Sequence, residues 1–281
     1  MSESMVLYGG LTSLLIVALI LLLRTANQNT KKLRVAKVEI QLAETAAQVN
    51  PLRILQLTDM HMEHLPIRPE QIKQAIGEHS LDLIVLTGDF LDRRRSLPKL
   101  ATYLEMLQTI PTTYGKFAVF GNHDYLLAKR DFQQLQQLLQ SYGIRCLQNE
   151  HVSWQVNDHR VNLIGIDDFS TRRSDVVRSF AGVEHGTNIV ITHDPNVVLK
   201  MKNHRFDYLM AGHFHGGQIH WPKPFHLVKM GKLARQKRVR GLHYEDGQAF
   251  YISEGIGQTG VNLRLGSLPE LTIHHLHSGR C

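Results

Sequence analysis

Arg53-Ile-Leu-Gln-Leu-Thr-Asp-Met-His61 is an apolar run that stops at a carboxylate and an imidazole. Residues 53–58 read as a strand. The Asp59-x-His61 that ends it sits where α/β sheets place their ligands, at the carboxyl end of a strand. The arrangement recurs downstream. Residues 81–87 run into Gly88-Asp89-Phe-Leu-Asp92, and residues 116–120 into Gly121-Asn122-His123-Asp124. Residues 188–192 run into His193-Asp194, and residues 207–211 into Gly212-His213-Phe-His215. Taken singly, each cluster has an ordinary explanation. Asp-x-His can be a turn with a surface histidine, Gly-Asp-x-x-Asp a turn with a helix N-cap, and Gly-Asn-His-Asp a tight turn by composition. Five in series, each after an apolar strand, supply enough oxygen and nitrogen for two divalent metals. Two closely spaced metals are a standard device for splitting a phosphate ester with water.

Between these strands lie helical patterns at residues 69–79, 97–108 and 130–142, the last stopped by Gly143. Residues 35–42 alternate, with Val38, Ile40 and Leu42 on one face, which predicts a strand. Two short strands, 151–156 and 161–166, are joined by a turn at Asn157-Asp158, and the tail is strand-like again at 249–253 and 270–275. Strand–helix alternation followed by strand-rich sequence predicts an α/β fold, with two sheets packed face to face and helices outside. No internal repeat or low-complexity tract is present.

A chain of 281 residues, 43% hydrophobic, can bury a real core. Its net charge of +7 favours anionic partners: phosphorylated substrates, acidic lipid or nucleic acid. Two cysteines, Cys146 and Cys281, exclude a disulfide framework and a thiolate metal site. Of the 17 histidines, His274, His275 and His277 stand outside the motifs and need no functional role.

The N-terminus carries a localisation signal. From Val6 to Leu23 there is no charge, a run just long enough to cross a bilayer as a helix. A cleaved signal peptide would show a basic start and a small-x-small cleavage site. Here Glu3 is the only charge before the run and Leu22-Leu23-Arg24 follows it, which favours an uncleaved anchor. Arg24, Lys31, Lys32, Arg34 and Lys37 come next, so the positive-inside rule places the main domain in the cytoplasm, on a single-pass inner-membrane protein. The expected organisation is an anchor over 1–24, a polar linker over 25–34 and one domain over 35–281.

Two basic tracts remain. Arg93-Arg94-Arg95 follows the second motif, and the tract bounded by Lys223 and Arg240 holds seven Lys or Arg and no acid, with Trp221, Phe225 and Leu227 interleaved or adjacent. Both read either as solvated surface or as contacts to an anionic bilayer or a substrate phosphate. Nucleic acid fits poorly with an anchored enzyme.

In order and wording the five clusters resemble the calcineurin-like metallophosphoesterase family, over roughly residues 38–276. Gly212-His-Phe-His-Gly-Gly-Gln218, and Glu254-Gly-Ile-Gly257 with Arg264 downstream, look most like its membrane-associated bacterial branch. The resemblance implies the two-sheet metallophosphoesterase sandwich and a site of defined roles. Asp59, His61 and His215 would hold one metal. Asn122, His193 and His213 would hold the other, and Asp89 would bridge both. The mixed carboxylate, imidazole and amide set suits Mn²⁺, Fe or Zn²⁺, Mn²⁺ foremost, over the all-oxygen shells of Mg²⁺ or Ca²⁺. A hydroxide shared by the two ions would be the nucleophile. His123 would be the general acid, with Asp92 or Asp124 orienting it or a ligand. The expected substrate is a phosphoester or pyrophosphate, lipid-linked as in the UDP-2,3-diacylglucosamine pyrophosphatases of the family. A broad soluble phosphodiesterase and a non-catalytic scaffold are the alternatives, and the full ligand set speaks against the scaffold.

Overall fold

The computed structural model describes residues 3–42, 51–156, 159–220 and 229–277. The expected turn at Asn157-Asp158, and Trp221, Phe225 and Leu227, lie outside the described residues.

Two six-stranded sheets face each other. The first contains β1 (Arg34–Gln41), β2 (Leu52–Leu57), β3 (Leu83–Thr87), β4 (Lys116–Val119), β5 (Ile144–Cys146) and β12 (Glu270–His277). The second contains β6 (Glu150–Val156), β7 (His159–Gly165), β8 (Thr187–Ile191), β9 (Tyr208–Ala211), β10 (Gly241–Glu245) and β11 (Gln248–Ile252). Their orders are β1-β12-β2-β3-β4-β5 and β10-β11-β9-β8-β7-β6. The central strands β2, β3 and β4 are parallel, as are β7, β8 and β9. All five motifs therefore leave the sheets at the same kind of edge, the carboxyl one.

Three apolar layers follow from the strand sequences. Alternate residues of β2 and β3, Ile54, Leu83 and Val85, meet Leu163, Ile189, Ile191 and Met210 of the second sheet. The intervening residues, Leu55, Leu57, Ile84 and Leu86, pack under α2 (Pro69–Ile76), α3 (Leu97–Gln108) and α4 (Lys129–Ser141). Strands buried on both faces explain why their sequences read as unbroken apolar runs. The outer face of the second sheet is covered by shorter pieces: α5 (Val176–Phe180), a 3₁₀ segment at Pro195–Lys200 and α6 (Lys232–Arg235).

Inside the sandwich one polar bridge joins the two sheets. The Tyr208 hydroxyl donates to His274 Nδ1 at 2.8 Å, and His274 Nε2–H donates to Gln56 Oε1 at 3.0 Å. Gln56 Nε2 then donates to Thr87 Oγ1 and to the Ala211 carbonyl. The bridge needs a neutral imidazole, one nitrogen accepting and the other donating.

The expected linker over 25–34 is corrected by the structure in its first half. The first helix, α1 (Glu3–Asn29), continues as far as Asn29, Ala26 and Thr30 are buried, and a short turn then leads to β1 at Arg34. Asn27 Nδ2 donates to the Asn262 carbonyl and Asn29 Nδ2 to the Arg264 carbonyl, while Arg264 N–H donates to the Ala26 carbonyl. The polar composition that marks a linker has another cause here: the side-chain amides bond to a distant loop. The apolar part of α1, by contrast, is exposed, and over Leu7–Asn29 it is long and apolar enough to cross a membrane.

Burial pushes the His274 pKa down to about 3. The unfolded chain, whose histidine titrates near 6.5, then binds more protons than the native one, so stability is lost as pH falls from about 6.5 toward 3. Urea unfolding of full-length protein in detergent should show His274→Gln to be less stable than the wild type at pH 7.5 but to lose less on going to pH 5. Parallel slopes for the two proteins would contradict the linkage.

Candidate metal centre

The five loops converge on one buried cluster, and their backbones are unusual. Asp59, His61, Asp89, His213 and His215 all have positive φ, between 39° and 78°, a region non-glycine residues seldom occupy. The strain is held by hydrogen bonds that extend the ladders past the strand ends. Asp59 N–H donates to the Gly88 carbonyl, His61 N–H to that of Asp89, and Gly257 N–H to that of Asp59. The close approach leaves no room at Gly121, where a Cβ would lie 2.2 Å from Asp89 Oδ1.

Two groups of side chains face each other. Asp59, His61 and His215 present ligand atoms within 4.8 Å of one another, and so do Asp89, His193 and His213. Asp89 Oδ2 stands between them, 3.5 Å from His61 Nε2 and 3.2 Å from His193 Nε2. His215 Nε2 is 3.3 Å from Asp59 Oδ1. The Asn122 Oδ1 and His61 Nε2 atoms are buried and have no hydrogen-bond partner among the described residues.

The outward nitrogens of three histidines are spoken for. Nδ1–H of His193 donates to the Thr87 carbonyl at 2.8 Å, that of His215 faces the Gly257 carbonyl at 3.3 Å, and that of His61 faces Asp92 Oδ1 at 3.0 Å. Each bond fixes the tautomer and turns the Nε2 lone pair inward. His193 Nε2 and His213 Nδ1 lie only 3.2 Å apart, a contact between two acceptors unless a cation or a proton sits with them. Imidazole, carboxylate and amide atoms aimed inward, two of them orphaned, fit divalent cations.

Burial alone would raise the Asp89 carboxyl, but His193, His61 and His123 outweigh it and hold it well below the ordinary carboxylate range. Burial likewise opposes protonation of His193, yet Asp89 raises it. His215 goes the other way, pushed down to about 3 by burial.

Asp92 sits 3.0 Å from His61 Nδ1 and 2.9 Å from His123 Nδ1, so one carboxylate serves both rings. His123 lies beside the cluster, its ring edge-on to His61 at 4.7 Å, and its backbone N–H donates to Asp89 Oδ1 at 2.8 Å. Against burial, Asp92 and the charge of Asp89 lift its pKa to about 9. Divalent charge among the neighbouring ligands would draw that value back toward neutrality.

Asp124 does not touch His123 through its carboxylate. Its two oxygens accept N–H bonds from Asp89, Gly121 and Phe90 at 2.8–2.9 Å, tying the second loop to the third. Burial and Asp89 push its pKa up to about 7, against those donors. Every partner it meets is a donor, which suits the anion. Two residues outside the five motifs hold the frame. Glu63 accepts the N–H groups of Asp92 and Arg93 and the Ser96 hydroxyl, fixing the loop that carries Asp92. Arg264 is fully buried, and its guanidinium donates to the carbonyls of His215, Glu254, Gly255, Gly257 and Leu268. Arg264 was legible only as part of a resemblance, and Glu63 carries no local signal.

The family model for the calcineurin-like phosphoesterase matches residues 52–217, from the first motif strand to the end of the fifth motif. The chain belongs to this family. It is 50% identical to the metallophosphoesterase YkoQ of Bacillus subtilis, over 95% of this chain and 98% of that one. It is 27% identical to a transmembrane protein with a metallophosphoesterase domain from Danio rerio, over 85% of this chain and 56% of that one. It is 24% identical to the UDP-2,3-diacylglucosamine pyrophosphatase LpxG of Chlamydia trachomatis, over 86% and 88%. The protein is therefore a hydrolase of phosphoesters that uses divalent metal ions.

Asp92 contacts two rings of the cluster and would tune its basicity. Asp92→Asn should weaken metal binding by roughly 10–100-fold, the usual effect of losing a carboxylate behind a ligating histidine. Competition with a chromogenic chelator reads this directly, and an unchanged affinity would remove Asp92 from the centre.

Proposed function

We propose that the chain is a membrane-anchored two-metal hydrolase that cleaves a lipid-linked phosphodiester or pyrophosphate at the bilayer surface. The observation that carries the hydrolytic part is the pair of facing clusters with inward lone pairs. Asp59, His61 and His215 hold one ion, Asn122, His193 and His213 the other, and Asp89 lies between them. Mn²⁺ is the favoured ion, with Fe or Zn²⁺ compatible. Two such ions supply an activated water and positive charge for the phosphoryl oxygens.

The chain's own residues do the rest. Asp92 holds His123 with Nδ1 toward the carboxylate, which leaves Nε2 to deliver a proton to the leaving oxygen. Asp124 and Glu63 keep the Asp89 and Asp92 loops in register. The five carbonyls gathered by Arg264 fix the loop of His215.

Two observations favour a substrate in the membrane. The exposed apolar helix α1 passes the length and composition test for a span. It also ends against the 262–264 loop rather than in free chain. Basic residues after the apolar run favour a cytoplasmic domain at the inner membrane. The pyrophosphatase activity for which LpxG is named is the kind of reaction this reading entails.

His123→Ala should lower turnover by roughly 10²–10⁴-fold on an alkyl phosphodiester. The loss should be much smaller with p-nitrophenol as leaving group, which needs no proton. Equal losses on both would discard the acid role, and no metal-dependent hydrolysis of any phosphoester would discard the reading. Removing residues 1–24 should slow hydrolysis of a lipid phosphodiester in mixed micelles and spare a soluble one. Added protease should leave the domain intact in spheroplasts, and digestion from outside would reverse the orientation.

A further inference from the structure

A cavity of about 780 Å³ opens beside the metal centre, and His213 is part of its wall. Arg172, Lys200, Lys229, Lys232 and Arg235 line it. They come from three separate segments: the loop after β7 (Arg172), the 3₁₀ segment after the fourth motif (Lys200), and the stretch that runs from Lys229 through α6 (Lys232, Arg235). None of the five is ion-paired among the described residues. One acid, Asp194, shares the wall, and its Oδ1 is already taken by the backbone and side-chain N–H groups of Asn196 at 2.8 and 2.7 Å.

The rim is built, not incidental. Asn196 Nδ2 also donates to the Met230 carbonyl, and Leu233 N–H donates to Asn196 Oδ1. One side chain thus clips the 230–233 segment, with Lys232, against the cavity wall. Gly231, at φ 109°, allows that approach, since a Cβ there would lie 2.5 Å from the Asn196 amide. In another part of the lining Arg172 is held at φ 62°, its backbone N–H bonded to the Phe169 carbonyl. A non-glycine residue in that region is held by its surroundings and clusters at ligand clamps. Five like charges from three segments around one concavity focus a field that an anion would satisfy.

We propose that this cavity is a second anion subsite, which holds a phosphate of the substrate next to the phosphorus attacked at the metal centre. The inference rests on the phosphoester reading and narrows it to substrates with a pyrophosphodiester. Water then adds across the P–O–P bond, its hydroxyl going to the phosphorus at the metals. Its proton accompanies the bridging oxygen, which leaves as the phosphate of the other half, held by the lysines. Arg172 and Lys232 supply charge from separate segments of the wall.

The test uses full-length protein in detergent with Mn²⁺ and three substrates. Bis(p-nitrophenyl) phosphate has one phosphorus, ADP-ribose is a soluble pyrophosphodiester, and CDP-diacylglycerol is a lipid-linked one. Arg172→Ala and the double variant Lys200→Ala/Lys232→Ala should raise KM for both pyrophosphodiesters by roughly tenfold or more, the worth of a lost charge-assisted hydrogen bond. Both should leave kcat, and the rate on bis(p-nitrophenyl) phosphate, within about twofold. Calorimetric titration of ADP into metal-free protein should show binding that the variants lose. Loss on CDP-diacylglycerol alone would mean contact with the lipid surface and overturn the subsite. Equal loss on all three substrates, or unchanged ADP binding, would overturn it as well. Wild-type failure on bis(p-nitrophenyl) phosphate together with ADP binding that the variants lose would instead fault the hydrolytic reading and leave the subsite standing.

Discussion

Two carboxylates, Asp59 and Asp89, are buried side by side among four histidines, and the rest of the structure is arranged around that burial. An isolated carboxylate in such a place would cost many kcal/mol. Here each is surrounded by donors drawn from other loops. Asp59 accepts the His213 N–H on both oxygens and the Thr58 hydroxyl, and Asp89 accepts the His123 N–H. Because the donors come from different strands of both sheets, the charges stay satisfied only when the carboxyl edges of the two sheets meet in register. Fold and metal centre are thus one constraint. The left-handed backbone at five site residues is the local strain that this meeting imposes.

The supporting polar groups fall into the same plan. Asp124 ties the Asp89 loop to the Gly121 loop through three N–H bonds, and Glu63 ties the Asp92 loop to the first motif. Neither faces the reacting atoms. Their contribution is to limit how far Asp89 and Asp92 can move, which is what a site acting by position and charge requires.

Much of this was legible because each apolar strand ends in its own chemistry. The strand register can be read from 54–57 and 83–86, and the motif residues follow where the pleat runs out. Four things were not legible, each for a physical reason. β5 has three residues, too few to show a period. β10 is an edge strand whose residues are all half-buried or exposed, so it carries little apolar signal. The last turn of α1 looked like a polar linker because Asn27 and Asn29 find partners more than 230 residues away, and composition does not report such bonds. The pairing of β1 with β12, Arg34 opposite Glu270, is invisible for the same reason.

Arg264 joins the two ends of the argument. Its backbone N–H bonds to the Ala26 carbonyl in the last turns of α1, while its side chain holds the carbonyl of His215, a residue of the metal centre. Arg34, just past the helix, is paired with Glu254 and Glu270, which flank the same loop. A flexible tether would let the domain wander over many orientations, and binding a substrate fixed in a bilayer would then carry the entropic cost of finding one of them. If α1 spans a membrane, a helix bonded to the frame of the site would remove that cost in advance. In the membrane-spanning reading, this is what sets the chain apart from a soluble phosphoesterase with an anchor added. The direction in which the helix leaves the loop sets the direction in which the site faces.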